Sequence, residues 1–200
     1  MKFFKENFDV ILKLLINQVG VALLTFFLYT AAGGIISEGS LGLIIKVAIS
    51  IFGILFYFAL VYNIAWEIGA KDKIRIDGNK MLPTPKKGVL LGLFANSTNI
   101  IVIGFATVIF ILYVLTDAQW LFSVYAVLNF IYRFFISMYL GVIQAICSPY
   151  AEHHTELYTV SQCVCFLIFS FISTIVIHFS YTMGTKDIRI FGSKPQSRYE

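Results

Sequence analysis

The sequence predicts an all-α fold, a bundle of transmembrane helices surrounded by lipid. Of its 200 residues, 58% are hydrophobic and only 13% are charged. Soluble domains carry about 25% charged residues, so this chain cannot cover its own surface with polar groups. The apolar residues also form runs of about 20 or more, the length that a helix needs to cross a hydrocarbon core of ~30 Å.

Five such runs divide the chain. Residues 10–32, 41–66, 89–115 and 160–182 are each predicted to cross the bilayer. The first run is longer than the core of a cleaved signal peptide and is interrupted by polar residues, which favours a span. Residues 120–146 form a fifth run of similar length, whose role depends on the charges around it.

Basic residues between the runs determine the predicted topology. Those that flank the runs are Lys2, Lys5, Lys71, Lys73, Arg75, Lys80, Lys86, Lys87, Lys186, Arg189, Lys194 and Arg198. The connections 33–40, 116–119 and 148–159 contain none. If residues 120–146 do not cross, all the flanking charges lie on the cytoplasmic side, as the positive-inside rule requires. The sequence therefore predicts a multi-pass membrane protein with four spans and both termini cytoplasmic.

In this topology residues 120–146 form a re-entrant or interfacial helix. At about 27 residues the segment is too short for two crossings, which need ~40 residues. Five spans are the alternative, and they would place the basic C-terminal tail outside, against the usual charge distribution.

A short motif occurs twice in the chain. Residues 69–72 and 184–187 both read Gly-x-Lys-Asp, and an Ile-Arg-Ile sequence follows each copy. Because similar sequences also precede the two copies, we predict tandem helical-hairpin repeats of about 8–78 and 87–192. The second repeat would contain an insert at about 116–151, which holds the fifth apolar run.

Both motif copies are predicted to close a helix on the cytoplasmic side. The glycine of each copy is expected to end its helix in the left-handed conformation. The alternation of Ile and Arg predicts that residues 73–77 and 187–191 are extended and pair with each other. The charged residues here form a candidate docking surface for a partner. They are Lys71, Asp72, Arg75, Lys186, Asp187 and Arg189.

Residues 66–72 carry Trp-x-x-Gly-x-Lys-Asp, and residues 87–92 carry Lys-Gly-x-x-x-Gly. With these motifs the central third of the chain resembles a family of small uncharacterised polytopic membrane proteins that is common in Firmicutes. The family has no established activity, so the resemblance implies a bacterial plasma membrane and no particular reaction. The two glycines of residues 87–92 also have the spacing that lets helices pack closely within one chain.

Four polar residues within the apolar runs are candidates for a functional cavity. They are Asn17, Asn96, Asn99 and Arg133, and Arg133 is the only arginine within any run. Polar groups left unpaired in hydrocarbon cost several kcal/mol, so these side chains are expected to point into the bundle. There they either pack helices together or line a polar path for a substrate. For Arg133, anchoring of an interfacial helix is a further interpretation.

No pattern in the sequence predicts a reaction, a cofactor or a nucleic-acid partner. The phosphate-binding loop is absent, and the one metal-like cluster, at residues 152–156, has adjacent histidines that point apart on a helix. We therefore expect a non-enzymatic membrane protein, either permease-like or an accessory subunit of a membrane complex. Its expected partners are membrane lipid and either a second copy of itself or another subunit. A structural or regulatory protein without a substrate is the alternative, and a membrane-embedded enzyme is the least favoured.

Overall fold

The computed structural model describes residues 2–33, 40–150 and 155–190, and within them it contains helices and no strands. The predicted all-α fold is confirmed. The helices are α1 (Lys2–Glu6), α2 (Phe8–Gly33), α3 (Ser40–Asp77), α4 (Lys87–Thr116), α5 (Gln119–Phe135), α6 (Leu140–Cys147) and α7 (Thr155–Thr185), with 3₁₀ turns at Ser137–Tyr139 and Ser148–Tyr150.

Four of these helices, α2, α3, α4 and α7, are long and apolar enough to cross a membrane. Their outward faces carry large hydrophobic side chains far from the helix ends. Phe27, Leu55, Ile101 and Phe179 are each more than 60% exposed. A soluble protein does not expose so much apolar surface, whereas lipid would cover it. The described bundle therefore fits a multi-pass membrane protein.

Helix α3 extends well beyond the predicted end of its span at residue 66. Lys71 pairs with Glu67 one turn earlier at 2.5 Å, and such pairs stabilise a helix in water. The helix continues to Asp77. The expectation that residues 73–77 are extended is therefore wrong, because charged residues end an apolar run without ending the helix.

Helices α4 and α7 run antiparallel, and two glycines bring them close together. A Cβ atom on Gly88, in the first turn of α4, would lie 3.0 Å from the Cα atom of His178 on α7. Gly92, one turn later, lies against Thr174 in the same way. The predicted close packing of these glycines is confirmed, and the start of α4 meets the end of α7.

The start of the chain lies at the same end of the bundle. The ring of Phe3 in α1 stacks on Phe94 of α4, with 5.8 Å between the ring centroids. We call this end, which carries α1, the connection 78–86 and the last turns of α3 and α7, the charged end. The other end, where α4 finishes and α7 begins, is the opposite end.

Helices α5 and α6 form one bent element, with 80° between their axes. The element enters at the opposite end and reaches inward until Tyr139 stacks on Phe169 of α7 at 4.8 Å. It then turns back, so that Cys147 Sγ lies 4.0 Å from Cys165 Sγ, nearer the start of α7. The element therefore enters and leaves at one end, as the re-entrant prediction requires, and four helices run from end to end.

The bend between α5 and α6 is buried among α2 and α3. Ser137 Oγ lies 2.7 Å from Thr25 Oγ1 of α2. The backbone N–H of Gly141, which the helix break leaves free, donates to Ser50 Oγ at 2.7 Å and to the Tyr29 hydroxyl at 2.8 Å. Broken helices are tolerated at membrane depth when neighbouring helices satisfy their backbone groups in this way.

Candidate functional site at the charged end

The two motif copies contact each other through their glycines. A Cβ atom on Gly69 of α3 would lie 3.0 Å from the Cα atom of Gly184 on α7 and would collide with the carbonyl oxygen of Tyr181. A Cβ atom on Gly184 would in turn collide with the carbonyl oxygen of Trp66. Helices α3 and α7 therefore cross at equivalent residues of the predicted repeat. The repeat boundaries themselves stay a prediction.

The motif glycines do not end their helices, contrary to expectation. Both lie within helical residues, and the left-handed positions are Asn79, with φ 54°, and Asp187, with φ 56°. After Asn79 the N–H of Lys80 donates to the carbonyl of Arg75 at 2.8 Å, which closes the helix end. The glycines are needed instead for the close approach of two backbones, since any side chain there would force the helices apart.

Asp72 is a buried carboxylate that joins three helices. The residue is 1% exposed, and its Oδ2 lies 2.7 Å from Lys87 Nζ at the start of α4. Tyr181 of α7 donates its hydroxyl hydrogen to the same oxygen at 2.9 Å. Arg75, which is mostly exposed, lies 3.9 Å from Oδ1. Because a buried charge needs partners, this arrangement fixes α3, α4 and α7 relative to one another.

An open cavity of about 570 Å³ lies beside Asp72. Four acidic and four basic residues contribute to its lining, so its formal charge balances. We call this cavity the charged basin. Its lining residues are Glu6, Asn7, Asp9, Val10, Lys13, Ile64, Glu67, Ile68, Lys71, Asp72, Arg75, Met81 and Lys87.

The segment after α7 folds back along α3. The Trp66 Nε1–H group donates to the carbonyl of Ile188 at 2.7 Å, and the guanidinium of Arg189 lies 4.3 Å from the Trp66 ring centroid. The N–H of Ile190 donates to the Tyr62 hydroxyl at 2.9 Å. Residues 188–190 are thus non-helical but pack against a helix rather than against residues 73–77. Residue 191 lies outside the described residues.

These contacts divide the candidate docking residues into three groups. Lys71 and Arg75 are exposed and line the charged basin. Asp72 is buried, so its role is inside the bundle. The remaining three residues, in the second motif copy, are exposed beyond the end of α7. They are Lys186, Asp187 and Arg189.

Asn96 belongs to a polar cluster between three spans. Its Nδ2 donates to Ser173 Oγ and Thr174 Oγ1 of α7, each at 3.3 Å. Ser173 Oγ lies 3.1 Å from the Tyr57 hydroxyl of α3. Asn99, on the same helix as Asn96, is buried as well. The cluster has the form expected for polar packing between membrane helices.

Arg133 is held at a different depth. Its Nη2 donates to Gln162 Oε1 of α7 at 2.5 Å, and its Nε donates to Asn129 Oδ1 at 2.6 Å. Gln162 and Ser173 are eleven residues apart on α7, which corresponds to ~16 Å along a helix. The structure therefore places Arg133 and Asn96 in separate clusters.

Asn17, which is predicted to point into the bundle, is only half-buried on α2. The inward face of α2 carries Gln18 and Thr25 instead, and Thr25 contacts the buried bend. The helix is apolar on nearly every side, so the bend that packs against it, rather than its own pattern, determines which face is buried.

Two residues of these networks are not found by sequence patterns. Lys87 stands out in the sequence as a flanking charge and as the first residue of the motif at 87–92, but nothing there indicates that it neutralises Asp72. Gln162 shows no signal beyond being polar at the start of a run, yet it binds Arg133. Asp72 offers one clue, because it is an acidic residue within a basic stretch soon after an apolar run, and a carboxylate that is buried there needs a cationic partner.

Within residues 2–33, 40–150 and 155–190, no group of three or more His, Cys, Asp or Glu side chains could hold a metal ion. Most of the metal-like cluster at residues 152–156 lies outside these ranges. The chain matches no protein-family model, no curated protein and no solved structure. Support for the candidate site therefore comes from its geometry alone.

Proposed function

We propose that the chain is a non-enzymatic protein of a bacterial plasma membrane that serves as an accessory subunit of a membrane complex. It docks a partner subunit at the charged basin. One observation carries the proposal: the basin presents exposed charges of both signs above a three-helix junction that Asp72 and Lys87 hold in place. Fixed charges of both signs give a docking surface register and specificity.

The charge distribution supports a cytoplasmic location for this end. Every flanking basic residue in the described ranges lies at the charged end, and none occurs in the described residues of the opposite connections, 117–119 and 148–150. The positive-inside rule then places the charged end, and with it both termini, in the cytoplasm. A cytoplasmic basin would meet the soluble parts of neighbouring subunits.

The bundle interior favours a scaffold role rather than a transport role. Asn96 and Arg133, two of the candidate cavity residues, have hydrogen-bond partners on neighbouring helices. The backbone N–H of Gly141 at the bend also has hydrogen-bond partners, Ser50 and Tyr29. Polar groups that are paired within the protein stabilise packing and do not solvate a substrate.

The decisive experiment is purification of the tagged protein from its native membranes in a mild detergent. The test variant exchanges a surface ion pair, Glu67→Lys with Lys71→Glu, which swaps the sign of two of the eight charges that line the basin and preserves net charge. The matched control is Lys80→Glu, an exposed residue at the same end that does not line the basin. We expect a stoichiometric partner with the wild type and the control, and its loss with the exchange variant.

Two results would contradict the proposal. One is a wild-type protein that purifies without any stoichiometric partner. The other is a partner that binds the exchange variant as well as it binds the wild type. An unchanged melting temperature in detergent shows that the exchange variant is folded and makes the second result interpretable.

A permease-like homodimer is the second candidate, and the bent α5–α6 element favours it. Helices broken at membrane depth are common where transporters bind substrates. This candidate predicts that the protein purifies as a dimer of itself, and that Gly141→Ala, which would collide with the carbonyl oxygen of Lys46 at the bend, abolishes transport in vesicles. A heteromeric complex that forms equally well with the Gly141→Ala variant would exclude the homodimer.

A further inference from the structure

A second cavity at the charged end differs from the basin in its charge. It lies between the start of α4, the end of α7 and the connection before α4, and its volume is about 600 Å³. Two lysines line it, and no acidic residue does. The lining residues are Ile76, Pro83, Thr84, Pro85, Lys86, Val89, His178, Tyr181, Thr182, Thr185 and Lys186.

The two lysines of this cavity carry uncompensated charge. Lys86 and Lys186 are exposed, and in the described part of the chain neither forms an ion pair. By contrast, Lys71 and Lys87 at the basin are each paired with a carboxylate. Two ammonium groups beside one cavity attract an anion, because like charges held together are costly until a counter-charge binds.

The other polar side chains of this cavity are less available to an anion. His178 Nδ1 is enclosed and has no hydrogen-bond partner among the described residues. The hydroxyls of Thr182 and Thr185 already donate to backbone carbonyls, at 2.9 Å and 2.8 Å. The charged donors that an anion can reach are therefore the two lysines, since the histidine nitrogen is enclosed against Gly88.

The position of the cavity matches the level of lipid headgroups. Lys86 directly precedes α4, and Lys186 directly follows α7. Both ammonium groups therefore lie where the hydrocarbon core ends and phosphate groups begin. The remaining wall includes Ile76, Pro83 and Val89, which suits the glycerol and first methylenes of a lipid better than a free ion.

We propose that this cavity binds the headgroup phosphate of an anionic phospholipid, with Lys86 and Lys186 as its cationic ligands. Basic pockets between transmembrane helices near the cytoplasmic face hold acidic headgroups in this way. Bound there, the lipid ties the start of α4 to the end of α7, next to the Asp72 junction. The inference requires a bilayer around the chain but does not depend on partner docking at the basin.

The test measures lipid binding to the delipidated, detergent-solubilised full chain. Short-chain phosphatidylglycerol is titrated and bound copies are counted by native mass spectrometry, with phosphatidylcholine of equal chain length as the neutral comparison. The variant is Lys86→Gln with Lys186→Gln. We expect it to weaken phosphatidylglycerol binding roughly thirtyfold, or about fivefold per lysine, and to leave phosphatidylcholine binding unchanged.

Two controls separate a site from general surface attraction. Lys73→Gln with Lys80→Gln removes the same charge from the same end, at residues that line neither cavity, and should keep wild-type binding. Lys86→Arg with Lys186→Arg retains the charge and should also keep binding. Equal losses in both glutamine variants would overturn the proposal.

Inorganic phosphate distinguishes a lipid from a free anion. We expect phosphate alone to compete poorly with phosphatidylglycerol, because it gains nothing from the apolar wall. If phosphate displaces the lipid at similar concentrations, or if phosphatidylcholine binds as tightly as phosphatidylglycerol, the lipid assignment is wrong. Loss of partner docking by a basin variant, with lipid binding intact, leaves this proposal standing.

Discussion

The two copies of the Gly-x-Lys-Asp motif share a sequence but differ in structure on either side of their contact. In the first copy, α3 continues beyond Gly69 to Asp77, and Asp72 is buried against Lys87. In the second copy, α7 ends at Thr185, and the equivalent Asp187 is exposed in a left-handed turn. Only the glycines have the same role in both copies.

This difference shows that the neighbouring helices, rather than the motif sequence, determine the contacts of the motif's charged residues. Asp72 faces α4 and α7, so a cation from another helix reaches it. The segment at Ile188 and Arg189 packs instead on α3, where Trp66 holds it through its indole N–H and its ring. The following predictions test the contrast, from the largest expected effect to the smallest.

The same substitution at the two aspartates should have very different effects. Asp72→Asn removes the counter-charge of Lys87, whose side chain is only 11% exposed, and should lower the free energy of unfolding by about 3–5 kcal/mol. Asp187→Asn changes an exposed residue at a position that asparagine also tolerates, and should stay within about 0.5 kcal/mol. Thermal unfolding in one detergent measures both.

A double variant tests whether the stability lost in Asp72→Asn comes from the unpaired charge of Lys87. Replacing Lys87 by Met as well as Asp72 by Asn removes both members of the pair and should recover part of the stability. If Asp72→Asn and Asp187→Asn destabilise the protein equally, the contrast between the two copies is wrong.

The glycines should behave alike, because they form one contact. Gly69→Ala and Gly184→Ala each place a Cβ atom against backbone of the facing helix and should each cost about 1–3 kcal/mol. The matched control is Gly20→Ala in α2, where no atom lies within 4 Å of the new Cβ. That change should be neutral or stabilise the helix by up to about 1 kcal/mol. If Gly184→Ala leaves the free energy of unfolding unchanged, α3 and α7 do not cross at these glycines.

The smallest expected effects concern the left-handed residues that close the two helices. Asn79 and Asp187 have nearly equal positive φ angles, so alanine at either position should cost about 1 kcal/mol. Glycine at either position should be tolerated or slightly stabilising. Melting temperatures of the four variants would show this, and a difference between the two sites for the same substitution would mean that their closures are not equivalent.

Sequence patterns locate the spans well but misplace helix ends and helix faces. Long apolar runs identify α2, α3, α4 and α7, since crossing a membrane imposes a length and a composition. The end of α3 is missed because a helix in water is continued by pairs such as Glu67 and Lys71, which hydropathy does not register. The inward face of α2 is missed because an apolar helix shows little amphipathic contrast.

The candidate site is only partly contained in the sequence. The charged residues of the motif copies are evident, and so is their common side, from the positive-inside rule. The pairing of Asp72 with Lys87 depends on how the connection 78–86 returns α4 to α3, which no local pattern encodes. The separation of Arg133 from Asn96 likewise follows from the depth that the re-entrant element reaches, a tertiary property.

Cysteine labelling in intact cells tests the central claim, that the chain between α4 and α7 enters and leaves at one end. Single cysteines are introduced at Gln119, Ser148 and Lys80, all exposed, after Cys147, Cys163 and Cys165 are replaced by alanine. A membrane-impermeant maleimide should label positions 119 and 148 directly, and position 80 only after the membrane is permeabilised. Labelling of positions 119 and 148 from opposite sides of the membrane would contradict the four-span bundle.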